Sequence, residues 1–294
     1  MKIYDCFIFY DEELLLDIRF NCLDKFVDKF VIVESKFSHR GEKRNPTFDI
    51  NKYKRFKEKI IYILLEEEPN NLCKIIPGDK EINEKTILNG NLREFYQRNA
   101  IQKGIVEAKD NDIIIISDVD EIPLLKNIDF KYIKENPVFF NQIFCCYKFN
   151  LYSSLRWYGS RLIRKKKLIS PQWLRDIKDR NYSFWRLDTI FSKKKFNNIN
   201  FIEKGGWHFS YLKKAEGVEK KLRSIRHHIE YDQNPIGIEN IKKMINEKKL
   251  IYNYKADQRT KNKFENNETL KVLDSKKLPE YIQKNKDKYL EWID

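Results

Sequence analysis

The sequence has no hydrophobic run long enough to cross a membrane as a helix. Its longest purely aliphatic run is Ile113–Ile116, whereas a membrane helix needs roughly 18 to 20 apolar residues. Acidic residues also break any signal-peptide core near the N-terminus, namely Asp5, Asp11, Glu12 and Glu13. We therefore expect a protein that is not secreted and that lies in the cytoplasm, at most peripheral to the inner face of a membrane.

Glycine, proline and cysteine are scarce. With 9 glycines and 8 prolines the chain is neither fibrous nor of low complexity, and 41% hydrophobic and 14% aromatic residues exclude a disordered chain. The five cysteines form no CxxC pair and mostly lie in apolar stretches. We expect them to be reduced thiols of the core, and we expect no zinc site.

Positive charge is in excess. The formal net charge is +14, and residues 156–195 alone hold 13 basic and 3 acidic residues. A basic surface favours anionic partners such as nucleic acid, acidic membrane headgroups or phosphorylated substrates. Because the excess lies in the second half of the chain, we expect that half to face an anionic glycan or membrane, with Arg164–Lys167 as the contact. The alternative is that the lysines are ordinary solvated residues.

The hydrophobic pattern of the first half predicts alternating strands and helices. β-Branched and aromatic runs predict strands, and apolar residues with a helical period predict helices. The predicted strands are 5–10, 29–35, 59–65 and 112–117, and the predicted helices are 12–26 and 92–108, with a loop at 36–51. This alternation is typical of an α/β fold with a parallel sheet and right-handed crossovers.

Long aromatic runs replace this pattern after residue 137. They predict strands at 139–152 and 157–169 and irregular or antiparallel strands at 185–191 and 201–211. Helices are predicted from Ala215 onward, with a polar connector at 255–276 and a last helix that begins near Pro279.

An acidic motif follows the strongest predicted strand. Asp118 and Asp120 are separated by one residue, so in an extended segment both side chains leave the same face. Ligands of an open parallel sheet bind outside the carboxyl ends of its strands. Two carboxylates there suit Mg²⁺ or Mn²⁺, which often share oxygen ligands with substrate phosphates. The alternative is that Asp118 caps a following turn or helix.

Other polar residues are expected at the same edge of the sheet. Glu34 and Ser35 end the second predicted strand, where they either hydrogen-bond a nucleobase or ribose or simply meet water. Arg93 and Arg98 flank the helix that leads into the acidic strand, and guanidinium groups suit a bound diphosphate. Because the two arginines do not share one helical stripe, we expect at least one to be structural or solvated.

Five ordered segments together resemble glycosyltransferase family 17, over about residues 4 to 230. They are Tyr4–Arg19, Val27–Ser35, Ser38–Glu42, the acidic motif Ser117–Pro123 and the sequence Gly-Gly-Trp-His-Phe-Ser at 205–210. The best-known members of this family are the β-1,4-mannosyl-glycoprotein β-1,4-N-acetylglucosaminyltransferases.

The resemblance implies a GT-A-type nucleotide-sugar fold with a mainly parallel central sheet flanked by helices. It also implies a UDP-sugar donor, with UDP-GlcNAc as the first choice, Mn²⁺ or Mg²⁺, and inversion at the anomeric carbon. We divide the chain into a catalytic domain at 1–230 and a helical C-terminal extension at 231–294. Within the domain, 1–123 would bind the donor and 124–230 the acceptor.

Carried over to this sequence, the family motif places Asp118 and Asp120 at the metal and diphosphate, and Glu34 at the donor. His208 is a further candidate ligand, since neutral imidazole binds Mn²⁺ well, although a histidine in an aromatic segment can also be a core residue. Relatives of the secretory pathway carry a membrane anchor, and this sequence shows none. We therefore expect a bacterial- or viral-type surface glycan or a glycolipid as the acceptor.

An inverting transfer needs a general base for the acceptor hydroxyl, and a carboxylate is the usual choice. Asp188 is the first candidate, because its aromatic neighbours would desolvate it and raise its basicity; Glu230 and Glu216 come next, ahead of Asp176 and Glu203. A surface salt bridge is the alternative for each. Lys221 or Arg223 would neutralise the departing UDP. Trp157, Trp173 and Trp185 either stack on acceptor sugars or pack in the core.

Two other classes of protein compete with the glycosyltransferase. The basic 156–195 segment with its interleaved aromatic residues is compatible with nucleic-acid binding, but no known nucleic-acid module is visible, so we expect no nucleic-acid partner. Haloacid-dehalogenase-like phosphatases also place an Asp-x-Asp motif after a strand. They usually have it near the chain start, followed two positions on by Thr or Val, where this chain has Ile122.

Overall fold

A computed structural model describes residues 1–225, 228–254, 263–264 and 268–294. Its strands are β1 (Ile3–Phe9), β2 (Lys29–Ser35), β3 (Ile60–Leu65), β4 (Ile113–Asp118), β5 (Glu121–Pro123), β6 (Val138–Cys146), β7 (Leu151–Arg164), β8 (Asn200–Ile202), β9 (Gly206–Ser210) and β10 (Lys271–Val272). Its α-helices are α1 (Glu13–Leu23), α2 (Ile82–Asn99), α3 (Pro171–Asp176), α4 (Leu187–Ile190), α5 (Ala215–Ser224), α6 (His228–Gln233), α7 (Ile238–Asn246) and α8 (Glu280–Lys284).

All ten strands form one mixed sheet. The strand order is β3-β2-β1-β4-β7-β6-β9-β5, with β10 added to β7 and β8 added to β6. Helices flank the sheet, which confirms the α/β class. Within the described ranges, no helix combines the length and the apolar character needed to span a bilayer.

The first four strands are parallel, as predicted. Both faces of this part are buried because its side chains alternate between two cores. Phe7 and Ile115 pack on one face with α1, whereas Cys6 and Ile114 pack on the other with Ala100. Ala100 begins a 3-10 helix that continues α2, so the helix predicted at 92–108 starts earlier, at Ile82, and changes type after Asn99.

The second half differs from the predicted strands in its boundaries. The run 139–152 is divided between β6 and β7, because the chain turns at Tyr147, which has a φ of 67°. The strand predicted at 185–191 is wrong, since this segment contains the short helix α4 and its aromatic side chains are exposed rather than packed. Much of the connector predicted at 255–276, namely 255–262 and 265–267, lies outside the described residues.

The sheet curls where β4 passes into β5. The chain turns at Val119 and Asp120, and β5 then pairs antiparallel with β9, with Glu121 opposite His208. Gly206 makes this contact possible: its φ is 129°, and a Cβ on it would lie 2.8 Å from the amide nitrogen of Leu124. The acidic motif and the Trp-His motif therefore lie side by side.

The described part of the C-terminal segment packs on the first half of the chain. Ile282 and Tyr289 join the core around α1, and Lys288 and Tyr289 both bond to Asp17 of that helix. The division into a 1–230 domain and a 231–294 extension stays a prediction.

The basic turn Arg164–Lys167 lies at the end of the sheet opposite the acidic motif. β7 runs antiparallel to β4, so that Arg164 pairs with Ile113. Asp118 lies five residues further along β4, about 17 Å away at roughly 3.3 Å per residue. Lys166 and Lys167 pair with Glu135. The contact expected for an anionic glycan or membrane therefore lies away from the acidic motif, and its role stays a prediction.

A buried ion pair joins β1 and α1 to residues 118–121 of the acidic motif, here called the acidic turn. The Arg19 guanidinium donates to both carboxylate oxygens of Asp5, at 2.7 and 2.5 Å, and both side chains are fully buried. It also donates to the backbone carbonyls of Asp118, at 3.1 Å, and Glu121, at 2.6 Å. The shape of the acidic turn is therefore set by a residue about a hundred positions away in the sequence.

Replacing Arg19 with Met should lower the free energy of unfolding by about 3–5 kcal/mol, because a buried carboxylate is left without its partner. Urea denaturation measures this loss. The control is Arg55→Ala, which removes an arginine that is 70% exposed in its pair with Asp24 and should cost at most about 1 kcal/mol. Similar losses in the two variants would contradict the role given to Arg19.

Candidate active site

A cavity of about 420 Å³ opens at the carboxyl ends of β1, β2 and β4. Parallel α/β sheets bind their ligands at this edge. Seven of the residues singled out from the sequence line the cavity: Ser35, Arg98, Asp118, Asp120, Trp157, His208 and Lys221. Arg93 and Glu34 are not among the lining residues, nor are Asp188, Glu216 and Glu230.

The acidic turn has two carboxylates in the cavity wall and one buried carboxylate. Asp118 and Asp120 line the cavity, whereas Glu121 is fully buried and is not part of the wall. The Glu121 carboxylate accepts hydrogen bonds from Trp157 Nε1 at 3.0 Å, from the Asp118 amide at 2.8 Å and from Arg175 at 2.7 Å. These hydrogen bonds of Glu121 hold the turn in place.

Asp118 lies between two arginines. Arg98 of α2 donates to Oδ1 and Arg175 of α3 donates to Oδ2, each at 3.0 Å. Burial of Asp118 opposes ionisation, but these two guanidinium groups outweigh it and hold the pKa of the carboxyl well below its usual range. Asp118 is therefore an ionised group whose two oxygens both have cationic partners.

Asp120 meets His208 and Lys221. His208 Nε2 lies 3.6 Å from Oδ1, and Lys221 Nζ lies 3.4 Å from Oδ2. Burial works against ionisation of Asp120, yet Lys221 and His208 lower its pKa. For Lys221, burial favours the neutral amine, but Asp120 and Glu12 raise its pKa, so the ammonium stays charged. The cavity thus holds a fixed positive charge beside a carboxylate.

His208 is held by aromatic rings. Its imidazole stacks on Trp157, with centroids 4.3 Å apart, and meets the edge of Phe144 at 4.9 Å. Its Nδ1 is buried and has no hydrogen-bond partner among the described residues. Packing fixes the ring so that Nε2 faces Asp120.

The cavity wall offers a divalent cation few ligands. The described part of the chain contains no group of three or more His, Cys, Asp or Glu side chains arranged to hold a metal ion. Asp120 Oδ1 and His208 Nε2, 3.6 Å apart in the cavity wall, form a nitrogen and oxygen pair of the kind that Mn²⁺ accepts. Both carboxylate oxygens of Asp118 already accept hydrogen bonds from Arg98 and Arg175. Asp120 and His208 therefore fit a cation as two of its ligands.

Glu34 and Arg93 shape the loop beside the cavity. Fully buried Glu34 accepts hydrogen bonds from the Thr47 amide at 2.8 Å and from Tyr62 Oη at 2.9 Å, and it forms an ion pair with Arg44 at 2.9 Å. Arg93 pairs with Glu68 at 2.5 Å. Both residues organise neighbouring chain segments, in line with the expectation that one of the two arginines is structural.

The three carboxylates predicted as general bases have partners elsewhere. Asp188 pairs with Arg186 at 2.9 Å and with Lys195 at 2.5 Å. These hydrogen bonds lower its pKa, so the expected rise in its basicity is wrong; its aromatic neighbours in the sequence do not cover it. Glu216 pairs with Lys242 at 3.4 Å, and Glu230 with Lys263 at 2.6 Å.

Sequence reasoning missed several residues of the cavity wall. Two carboxylates, Glu12 and Glu94, belong to it, as do aromatic residues from distant parts of the chain, namely Tyr10, Tyr211, Tyr252 and Tyr254. Glu12 lies three residues after the end of β1, next to the start of α1, a position that could have pointed to it. Nothing local distinguishes the tyrosines, which the fold brings together.

A cavity at the carboxyl ends of parallel strands, with carboxylates, a histidine and a charged lysine in its wall, defines an α/β enzyme that acts on a polar or anionic substrate. The sequence model of glycosyltransferase family 17 matches residues 1–292. The chain belongs to this family, and the resemblance carried by its motifs is confirmed.

Curated relatives match a shorter part of the chain. The human and rat proteins named beta-1,4-mannosyl-glycoprotein 4-beta-N-acetylglucosaminyltransferase are each 30% identical over 125 residues, which cover 40% of this chain and 21% and 20% of the relatives. The match thus spans about a fifth of their length. Among solved structures, HddC from Yersinia pseudotuberculosis aligns with 70% of this chain and 92% of its own, at 10% identity and a TM-score of 0.32.

Gly159 of β7 leaves the space that the Glu121 carboxylate occupies. A Cβ at this position would lie 2.6 Å from the Glu121 carboxyl carbon and would also meet Gln142. Gly159→Ala should therefore lower the free energy of unfolding by about 1–3 kcal/mol, as overpacking does. Chemical denaturation measures the change.

Gly217→Ala is the matched control. Gly217 lies within α5, where the nearest atom to a new Cβ is Lys213 Cβ, 3.0 Å away. Alanine there should change stability by at most about 1 kcal/mol, because its higher helix propensity offsets this contact. Equal effects of the two substitutions would contradict the packing role of Gly159.

Proposed function

We propose that the cavity transfers N-acetylglucosamine from UDP-GlcNAc to a glycan hydroxyl, with inversion at the anomeric carbon and the help of a divalent cation. Membership of glycosyltransferase family 17 supports glycosyl transfer as the reaction and implies a nucleotide-sugar donor. The printed names of the relatives support GlcNAc as the sugar. The observation that carries the proposal is the meeting of Asp118, Asp120, His208 and Lys221 in one cavity at the carboxyl ends of β1, β2 and β4.

The donor would lie across the sheet edge, in the manner of a GT-A-type fold. Tyr10 and Ser35, at the ends of β1 and β2, line the side where a nucleoside would sit. Arg98 and Lys221 line the cavity close to the acidic pair, where their positive charges suit a diphosphate. The glutamate proposed for donor binding, Glu34, would act indirectly by holding the 44–48 loop.

Asp120 and His208 would hold the cation, Mn²⁺ or Mg²⁺. When bound there, it would neutralise diphosphate charge and act as a Lewis acid. Asp118 would keep Arg98 and Arg175 in position, and Arg98 would present its remaining surface to the donor. This differs from an arrangement in which both aspartates bind the ion equally.

In this scheme the Lys221 ammonium group assists the departure of UDP. Lys221 stays charged in the cavity wall, so its ammonium stabilises negative charge that develops on the leaving diphosphate. For the general base, Glu12 and Glu94 are the carboxylates of the wall outside the acidic motif. Asp188, Glu216 and Glu230 lie outside the wall and have lysine or arginine partners.

The acceptor is proposed to be a surface glycan or a glycolipid. Trp157, Tyr211, Tyr252 and Tyr254 give the cavity an aromatic wall, and aromatic faces pack well against the apolar faces of sugars. We also propose that the protein is located in the cytoplasm.

The central test is release of UDP from UDP-GlcNAc by the full chain, with and without Mn²⁺. We expect Mn²⁺-dependent release that falls roughly 100-fold in Asp120→Asn, because a group beside the developing charge is lost. Asp188→Asn is the matched control, since this carboxylate lies outside the cavity, and it should leave the rate unchanged. Loss of release in Asp188→Asn together with normal release in Asp120→Asn would refute the proposed site.

The role of Lys221 has a separate test. Lys221→Met should reduce kcat for UDP release roughly 10- to 100-fold, since a fixed positive charge next to the leaving group is removed. Lys243→Met, at a lysine of α7 whose side chain is 71% exposed, should have no effect. A Lys221→Met enzyme with unchanged kcat and a raised KM would instead assign Lys221 to ground-state binding of the donor.

A further inference from the structure

An exposed loop of residues 178–196, here called the aromatic loop, leaves the body of the protein after α3. Its neck is closed by backbone hydrogen bonds from the Lys178 amide to the Lys194 carbonyl and from the Tyr182 amide to the Phe196 carbonyl, both 2.8 Å long. The loop therefore has a defined base, where Tyr182 is buried and Phe196 packs against the core, and most of its other side chains are exposed.

Four large apolar side chains of this loop face solvent. Phe184 is 61% exposed, Trp185 76%, Leu187 72% and Phe191 86%, and the rings of Phe184 and Trp185 touch, with centroids 3.7 Å apart. Single exposed apolar residues are ordinary, but a group of this kind within eight positions marks an interaction surface.

Basic residues accompany the apolar side chains. Positions 178–195 hold six basic residues and two acidic ones. One of these acids, Asp188, is already paired with Arg186 and Lys195. The loop therefore presents a net positive charge around its apolar tip. Tryptophan and phenylalanine next to lysine and arginine are the combination that binds the interface of an anionic bilayer.

We propose that the aromatic loop docks this protein on the surface of an anionic lipid bilayer. Phe184, Trp185, Leu187 and Phe191 enter the boundary between headgroups and acyl chains, and the flanking lysines and arginines contact anionic headgroups. The four apolar residues are absent from the cavity wall, so docking leaves the cavity open.

The test is co-sedimentation of the full chain with vesicles of phosphatidylcholine and phosphatidylglycerol, compared with vesicles of phosphatidylcholine alone. We expect binding to the anionic vesicles that weakens with salt. The double variant Trp185→Ser with Phe191→Ser should lose roughly tenfold or more in partitioning, because both apolar anchors are gone. Brominated lipids should quench the fluorescence of the parent protein more strongly than that of Trp185→Ser.

The matched control substitutes equally exposed apolar residues elsewhere. Tyr132 is 82% exposed and Val106 is 78% exposed, and Tyr132→Ser with Val106→Ser should bind vesicles like the parent. Equal binding by the loop variant and the parent would overturn the proposal, as would absence of binding to anionic vesicles. If the loop variant alone differed from the parent protein in molecular mass in the absence of lipid, the proposal would also be overturned and the loop would be assigned to self-association.

UDP release from UDP-GlcNAc distinguishes this proposal from the proposed function. The loop variant should keep the parent rate without vesicles, because its substitutions lie outside the cavity. Normal vesicle binding by a protein that releases no UDP would leave the docking surface standing and refute the donor assignment.

Discussion

The arrangement of the candidate active site depends on one buried guanidinium group. Arg19 is anchored to Asp5 in the centre of the parallel sheet, and its remaining donors hold the backbone carbonyls of the acidic turn. A turn that leaves a strand would otherwise be free to direct its carboxylates in several ways. Because the carbonyls are fixed, Asp118 and Asp120 are presented to the cavity, while the buried Glu121 carboxylate is bound by Trp157 and Arg175.

Opposite charges then determine the electrostatics of the cavity. Two arginines hold Asp118, and Lys221 and His208 stand beside Asp120, so both carboxylates are ionised in spite of their burial. The arginines and the lysine come from α2, α3 and α5, and the histidine comes from β9, so the partners belong to both halves of the chain. The site is a junction of the two halves, and its charge pattern exists only when both are folded together.

The sequence was sufficient for the local part of this structure. The parallel strands followed from β-branched runs such as Ile113–Ile116, and the acidic pair and His208 were recognised because they lie in short motifs. The failures share a cause, which is that burial and ion pairing are tertiary properties. Asp188 follows Phe184 and Trp185 in the sequence, yet both rings are exposed to solvent. Its carboxylate forms ion pairs with Arg186 and Lys195 instead. Arg19 and Arg175 carried no local signal, since an arginine that reaches a distant carboxylate looks like any other.

The pairing of β5 with β9 carries a further consequence for how the chain can vary. Successive side chains of a strand point to opposite faces, and the register of this short pair places His208 opposite Glu121. A shift of one residue in β9 would turn His208 away and bring Trp207 or Phe209 to the cavity, replacing a polar ring with an apolar one. Insertions or deletions of a single residue between Gly206 and Ser210 therefore change which side chains face the cavity, so the length of this segment is constrained as well as its composition.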